Sequence, residues 1–425
     1  MLGICLLLPK PDNFMKKLLF IPLNSREISQ MNLVIPFIKN DFAIQAISFR
    51  NQESEILKKN NISFKQAQDY KTFNAIDVLK KENPSIVVAD FCGPFMNAFI
   101  MAANYLNIPI LQIDDGITAD YSPYNKNSFI SKISKIIKSF FKFLFSSQKR
   151  NSYLFFYNTF FAINGLSFKS INKFFNEFYK FLFPLPIYAP GLNIAVLGPF
   201  AKQAYIKMGA PEDKIFITGQ PRFDKLIANA IDSDLIKKEI GIDLNKKIVF
   251  LATQPLLGYL WSQQEWELFN KTIIQSVLKI DQAQLIIKLH PEENREVFQD
   301  FLKKNNYNIR LFQNEFNLYD LIACCDVLVT FNSTVALEAM ILKKSVVTVN
   351  LTGKQDLYPY YSQSKAALLA DKPDQVKRII ESSLFDQNIK QEMQKKQEEF
   401  LYDQVYLLDG KASQRTGEVI KKLSK

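Results

Sequence analysis

The chain has 425 residues, with 53 Lys and Arg against 42 Asp and Glu, so a formal charge of +11 sits on a composition that is 48% hydrophobic and 22% charged. This balance excludes a disordered or collagen-like chain. A single hydrophobic core stops growing near ~250–300 residues, so the length predicts two domains of roughly 200 residues each. The charge is uneven: residues 126–180 hold ten Lys/Arg and one acid, Glu177, which puts +9 of the net +11 in one stretch. The near-neutral remainder excludes a nucleic-acid-binding surface, which needs a continuous basic track. Cys5, Cys92, Cys324 and Cys325 have no C-x-x-C spacing and read as small buried thiols of a reducing compartment. The apolar run 2–8 is short, lacks a basic leader and ends at Pro9, so it fits neither a signal peptide nor a membrane span. Residues 1–14 read as an extension, and the expected location is the cytoplasm, with attachment to the inner membrane face as the one alternative.

Taken in chain order, apolar runs without polar alternation predict parallel strands buried on both faces at 18–21, 42–47, 86–89, 110–113, 194–197 and 215–217. They recur at 248–252, 285–289, 309–312, 327–331 and 346–349, with helix-length periodic segments such as 263–279 and 292–305 between them. This β-α-β-α rhythm occurs twice, so the expected fold class is α/β, two Rossmann-like doubly wound parallel sheets. The expected domains are 1–230 and 247–425, joined by a polar linker at 231–246. Open α/β sheets bind ligands at the carboxyl ends of their strands, so two facing sheets would enclose a cleft.

One block breaks the rhythm. Residues 126–185 contain 15 of the 37 phenylalanines. A helix over 130–144 would align Ile130, Ile133, Ile137, Phe141 and Leu144 on one stripe and Lys132, Lys135, Lys138 and Lys142 opposite. A second aromatic-basic segment spans 171–183 and closes at Pro184. Either the aromatic face packs on its own domain with lysines in water, or the pair lies on an anionic membrane surface.

Three strand ends carry candidate chemistry. His290, the single histidine, follows the strand 285–289 and precedes Pro291, where a helix start would leave amides free for an anion and the imidazole could donate to a phosphate. Asn332, Ser333 and Thr334 form a polar turn between strand and helix. Their hydroxyls and free amides suit a phosphate, and Glu338 one turn on suits ribose hydroxyls, although a helix cap alone would use the same residues. Asp114 and Asp115 precede Gly116, where a turn could aim a carboxylate into the cleft as general base, or simply end a strand in water. The turns holding Gly219, Arg222 and Gln254 would line the same cleft. Asp232-Ser233-Asp234 has metal-like D-x-D spacing but lacks a preceding strand, so no metal site is expected there. Without a P-loop, G-x-G-x-x-G, HExxH or histidine cluster, no cofactor is expected.

With these motifs in place the chain resembles the nucleotide-sugar glycosyltransferases of the GT-B fold, particularly those of bacterial capsule and surface polysaccharide synthesis. Asp114-Asp115-Gly116 looks like the acidic-acidic-Gly motif of sialyl- and polysialyltransferases, His290-Pro291 like their His-Pro motif, and Ser333-Thr334 like their Ser/Thr pair, in the same order. The second half is also similar to CDP-glycerol glycerophosphotransferases and UDP-N-acetylglucosamine 2-epimerases. The similarity covers 193–351 and 86–121. Where the wider superfamily often has His-Gly, this chain has Asp115-Gly116, a departure that favours base-catalysed transfer.

The resemblance implies an inverting, metal-independent glycosyltransferase. His290, Pro291, Asn332, Ser333, Thr334, Glu338, Gln254, Gly219 and Arg222 would bind a nucleotide-activated sugar, in first place a CMP-activated sialic-acid-like one. Asp115, with Asp114 as second candidate, would deprotonate a glycan or lipid-linked acceptor while His290 stabilises or protonates the departing phosphate. The alternatives are a 2-epimerase-like isomerase, a CDP-glycerol-type transferase, or a catalytically silent scaffold.

Overall fold

A computed structural model describes residues 15–89, 93–114, 146–182, 188–228, 232–258, 260–353 and 360–425. The first sheet comprises β1 (Lys16–Ile21), β2 (Phe42–Ser48), β3 (Phe64–Gln66), β4 (Ile86–Ala89), β5 (Ile110–Ile113), β6 (Asn193–Val196) and β7 (Ile215–Ile217). Its order is β3-β2-β1-β4-β5-β6-β7 and every pairing is parallel. The second sheet comprises β8 (Lys247–Ala252), β9 (Ala283–Lys288), β10 (Arg310–Phe312), β11 (Val327–Thr330), β12 (Ser345–Val349) and β13 (Leu368–Ala370), ordered β10-β9-β8-β11-β12-β13 and also parallel. The strand order reverses between β1 and β4 and again between β8 and β11, the two places where a doubly wound sheet opens a crevice at its carboxyl edge.

The helices of the first part are α1 (Ser25–Ile38), α2 (Asn51–Lys59), α3 (Ala75–Glu82), α4 (Gly93–Tyr105), α5 (Ser147–Asn164), α6 (Phe168–Leu182), α7 (Pro199–Lys207) and α8 (Pro221–Ala228). Those that follow are α9 (Ser233–Glu239), α10 (Gln263–Leu278), α11 (Arg295–Lys304), α12 (Leu318–Cys324), α13 (Val335–Ile341), α14 (Pro373–Phe385), α15 (Gln387–Val405) and α16 (Ala412–Leu423). Successive strand side chains point to opposite faces. In β1, Leu18 and Phe20 enter one core cluster while Leu19 and Ile21 enter another. Helices cover both faces, so β1 carries no polar alternation. In β8, Ile248 and Phe250 divide from Val249 and Leu251 in the same way.

Three departures from the sequence expectations have physical reasons. The edge strands β3 and β13 are three residues each and only partly buried, too short for an apolar run. The polar stretch 231–246 contains α9, where the first acid of the D-x-D is a helix cap: Asp232 Oδ1 accepts from the amides of Asp234 and Leu235 at 3.2 and 3.1 Å. Finally, α16 returns from the second sheet to the first. Ile420 is fully buried in the cluster of Leu18 and Ile38, and Lys16 Nζ donates to the Ser424 carbonyl at 2.8 Å. Asp224 of α8 accepts the first amides of α16, Ala412 at 3.0 Å and Ser413 at 2.7 Å.

The aromatic-basic block contains a helical hairpin. α5 is built into the domain: Phe155 is 1% exposed, with its ring 5.0 Å from Phe95 of α4, and Thr159 Oγ1 accepts the first amide of α3, Ala75, at 2.9 Å. α6 folds back after Gly165, whose φ of +67° suits glycine at the turn. Phe174 of α6 meets Phe156 and Phe160 of α5 at 5.6 and 5.5 Å. The stripe expected at 130–144 lies outside the described residues.

Candidate functional site

β9 ends beside the β8–β11 switch point, and the chain turns at His290. The Glu292 amide donates to His290 Nδ1 at 3.2 Å, which assigns the ring proton to Nε2. Partial burial holds the imidazole below its ordinary pKa. Glu292 opposes this effect, while Lys288 and Arg26 reinforce it. At neutral pH His290 is therefore a neutral hydrogen-bond donor rather than a cation.

The turn is fixed from below. The His290 amide donates to Glu293 Oε2 at 2.9 Å and to Thr253 Oγ1 at 3.2 Å, and the Thr253 hydroxyl also bonds the Glu293 carboxylate. Gln313 Nε2 donates to the carbonyls of His290 and Glu293 at 3.2 and 2.9 Å. Burial raises the Glu293 carboxyl to about 7 despite the bonds from Thr253 and the His290 amide. These bonds correct the expectation that Pro291 starts a helix. Residues 291–294 form a turn, and α11 begins only at Arg295, where Asn294 Oδ1 accepts the Glu296 amide at 2.9 Å.

At the end of β11, the Asn332 amide donates to Gln254 Oε1 at 2.8 Å, tying the ends of β8 and β11 together. The Ser333 amide is taken by Thr330 Oγ1 at 3.3 Å and the Val335 amide by Ser333 Oγ at 3.3 Å. The amides of Asn332, Ser333 and Val335 are thus engaged, the first by Gln254 and the other two within the turn. What the turn presents outward is Thr334, exposed and at the cap position of α13 without a side-chain cap bond.

Glu338 is 3% exposed; Oε1 lies 3.5 Å from Arg222 Nη2, and Oε2 has no hydrogen-bond partner among the described residues. Burial raises its carboxyl, with Arg222 opposing the shift. Arg222 is oriented by Gln220, whose Oε1 accepts from Nε at 2.9 Å. Gly219, at φ +77°, serves packing: an added Cβ would meet Ala412 Cβ at 3.2 Å and Arg415 Nη2 at 3.3 Å on α16. The Thr218–Asp224 segment therefore does two tasks, docking α16 and presenting Arg222 to Glu338.

From the first sheet, Arg26 at the start of α1 lies within electrostatic reach of His290, so the carboxyl end of β1 approaches that of β9. Asn24 caps α1 through the Glu27 amide at 3.0 Å. Asp114 follows β5, half-buried, with its amide on the Ala195 carbonyl at 2.9 Å. Asp115 and Gly116 lie outside the described residues. Arg26 and Glu293 were not singled out from sequence. Arg26 sits in a strand–turn–helix junction like those of His290 and Ser333, and Glu293 stands three residues after His290, the spacing for a carboxylate reaching back to an amide.

Two parallel-sheet domains, each doubly wound, define a GT-B-type protein. The chain belongs to the UDP-N-acetylglucosamine 2-epimerase family, whose sequence model matches residues 196–421. A curated relative, the UDP-N,N'-diacetylbacillosamine 2-epimerase (hydrolyzing) of Legionella pneumophila, is 27% identical over 156 residues, 35% of this chain and 40% of that protein's length. The UDP-GlcNAc 2-epimerase of Neisseria meningitidis, solved with UDP-GlcNAc bound, superposes with a TM-score of 0.59 over 96% of this chain and all of its own at 15% identity. A glycosyltransferase from Rickettsia africae gives 0.55 over 97% and 99% at 12% identity. These structural likenesses are of fold. Of the activities weighed from the sequence, the family supports the 2-epimerase alternative over sialyl transfer.

Proposed function

We propose that the protein acts on a UDP-activated N-acetylhexosamine and epimerises its C2 centre, with or without release of the free sugar. The observation that carries this reading is the neutral imidazole of His290, its proton on Nε2, in electrostatic reach of Arg26 from the opposite sheet within a chain of the 2-epimerase family. A neutral donor and a guanidinium together suit a diphosphate leaving group. Thr334 adds a hydroxyl, and Glu338 is the ribose acceptor in this reading.

Inversion at C2 requires the C2–H bond to break. A base takes that proton, the C–H electrons form C1=C2, and the C1–O bond releases its pair to the nucleoside diphosphate. Asp115, with Asp114, is proposed as the acid–base group. Return of the diphosphate to C1 with delivery of a proton to the opposite face of C2 gives the C2 epimer, and addition of water to C1 with the same protonation gives the free sugar.

The test is incubation with UDP-GlcNAc in heavy water without any acceptor. The expected result is deuterium at C2, with either the C2 epimer or UDP and free sugar formed. Retention of the C2 proton in an intact substrate overturns the reading.

One observation favours glycosyl transfer as a second reading. A pocket of about 480 Å³ opens at the carboxyl ends of β2 and β3, lined by Phe49, Arg50, Asn51, Gln68, Phe73 and Phe155 among others. Aromatic faces and amides suit a sugar ring, and an isomerase working on its donor alone needs no such acceptor pocket. A transferase would leave the donor unchanged until a glycan acceptor is added. Thermal shifts with UDP, CMP and CDP separate the donor classes, since a ligand at 100 times its Kd adds about 2.7 kcal/mol of stability.

A further inference from the structure

We propose that the α5–α6 hairpin seats the protein on an anionic phospholipid surface through its tip. Leu166 and Phe168, in and beside the turn, are the two most exposed large hydrophobic side chains among the described residues, at 78% and 81%. Phe175, 60% exposed, lies two turns along α6 on the same stripe as Phe168. Lys169 and Lys173 are exposed on the adjoining stripe. Lys173 Nζ is held at the tip by Asn164 Oδ1 at 2.9 Å and stands 6.0 Å from the centre of the Phe160 ring.

Folding does not call for these exposed side chains. The hairpin's inner face is already satisfied: Phe155, Phe156 and Phe160 are 1% exposed, and Phe174 closes the contact between the helices. The anchored helix α5 has 18 residues, about 27 Å, and bears the tip at its end. The stretch 126–180 carries ten cations and the single acid Glu177. Exposed aromatic and aliphatic side chains at a helical turn, flanked by lysines, match the acyl boundary and head groups of an anionic leaflet. A specific protein partner would need roughly 800 Å² of fitted surface on each side, which a hairpin turn does not offer. No helix among the described residues is long and apolar enough to cross a membrane, so the seat is on the surface.

The inference is independent of the sugar chemistry. The test is flotation of the whole protein with vesicles of phosphatidylglycerol and phosphatidylcholine in a ratio of about 3:7, against pure phosphatidylcholine. The expected result is binding to the anionic vesicles only, weakened in about 0.5 M salt. Lys169→Gln with Lys173→Gln should weaken it about 25-fold, taking about fivefold per cation removed. Leu166→Ser with Phe168→Ser should weaken it at least about tenfold. Near-UV circular dichroism should be unchanged in both double variants, which separates lost docking from lost folding. Absence of binding at low salt, equal binding to both vesicles, or wild-type binding by the Leu166/Phe168 double variant each overturns the proposal. The heavy-water experiment reads out separately from all of these.

Discussion

At the carboxyl edge of the second sheet each loop reaching the cleft is bonded to its neighbour: Gln254 to Asn332, Thr253 and Glu293 to His290, and Gln313 to the turn at 290–293. At the edge of the first sheet the described bonds tie the end of β3 to the start of α2, Gln66 Nε2 donating to Asn51 Oδ1 at 3.4 Å and to Ser54 Oγ at 3.3 Å. There β2 and β3 end in an aromatic and amide-lined pocket, and Arg26 stands exposed at the start of α1. A frame of half-buried hydrogen bonds holds one donor geometry and suits a constant ligand part such as a nucleoside diphosphate, whereas an open pocket with ring faces suits a variable part. Under the proposed function, the second sheet, together with Arg26, would recognise the common moiety and the pocket of the first sheet would choose the substrate.

His290→Ala is the hardest blow to that division. It should lower kcat by about 100- to 1,000-fold, as loss of a preorganised donor does, with protein stability little changed; a variant that keeps its turnover would remove His290 from the chemistry.

Glu293→Gln tests the frame itself. The folded carboxyl titrates near 7 against 4.5 for the ordinary group, so the folded state holds a proton that the unfolded state has lost. Stability from this group is therefore present below about pH 4.5 and falls as pH rises to 7, by roughly 3 kcal/mol. Urea unfolding at several pH values should show that loss in the wild type and a flatter profile in the glutamine variant.

Gly219→Ala forces a Cβ toward α16 at positive φ and should cost about 2 kcal/mol, read as a lowered Tm; an unchanged Tm would mean that α16 yields there. The smallest effect bears on how the two edges meet. Because His290 is the single histidine of the chain, its ring protons give one unambiguous NMR titration. The midpoint should lie below 6.5 and rise in Arg26→Ala, since Arg26 is among the charges that lower it. A midpoint indifferent to Arg26 would separate the edges.

Most strands were legible because a strand buried on both faces must be apolar at every position, as Leu18–Ile21 and Ile248–Ala252 are. β3 and β13 were not, since three partly exposed residues leave no run. The hairpin was half legible: its aromatic content was plain, but composition could not say that Phe155 would be core while Phe168 faces solvent. His290 and Ser333 announced themselves as polar residues at the ends of buried strands. Arg26 did not, because its meaning depends on a partner 264 positions away, and Glu293 looked like one surface acid among many. The return of α16 could not be read either, since an amphipathic C-terminal helix does not name the sheet it covers.

That return has a mechanical consequence. The chain passes between the sheets once through 228–247 and again through 405–412, where Tyr406 adopts φ +66° and Gly410 +70°. The crossings are reinforced by packing, since Leu197, Phe223 and Leu226 lie in the core cluster of Ile248 and Phe250. Gly198, whose added Cβ would meet the Asp403 carbonyl at 2.4 Å, fits the two parts closely beside the second crossing. Any parting of the two carboxyl edges would have to work against both crossings and the apolar contacts between them.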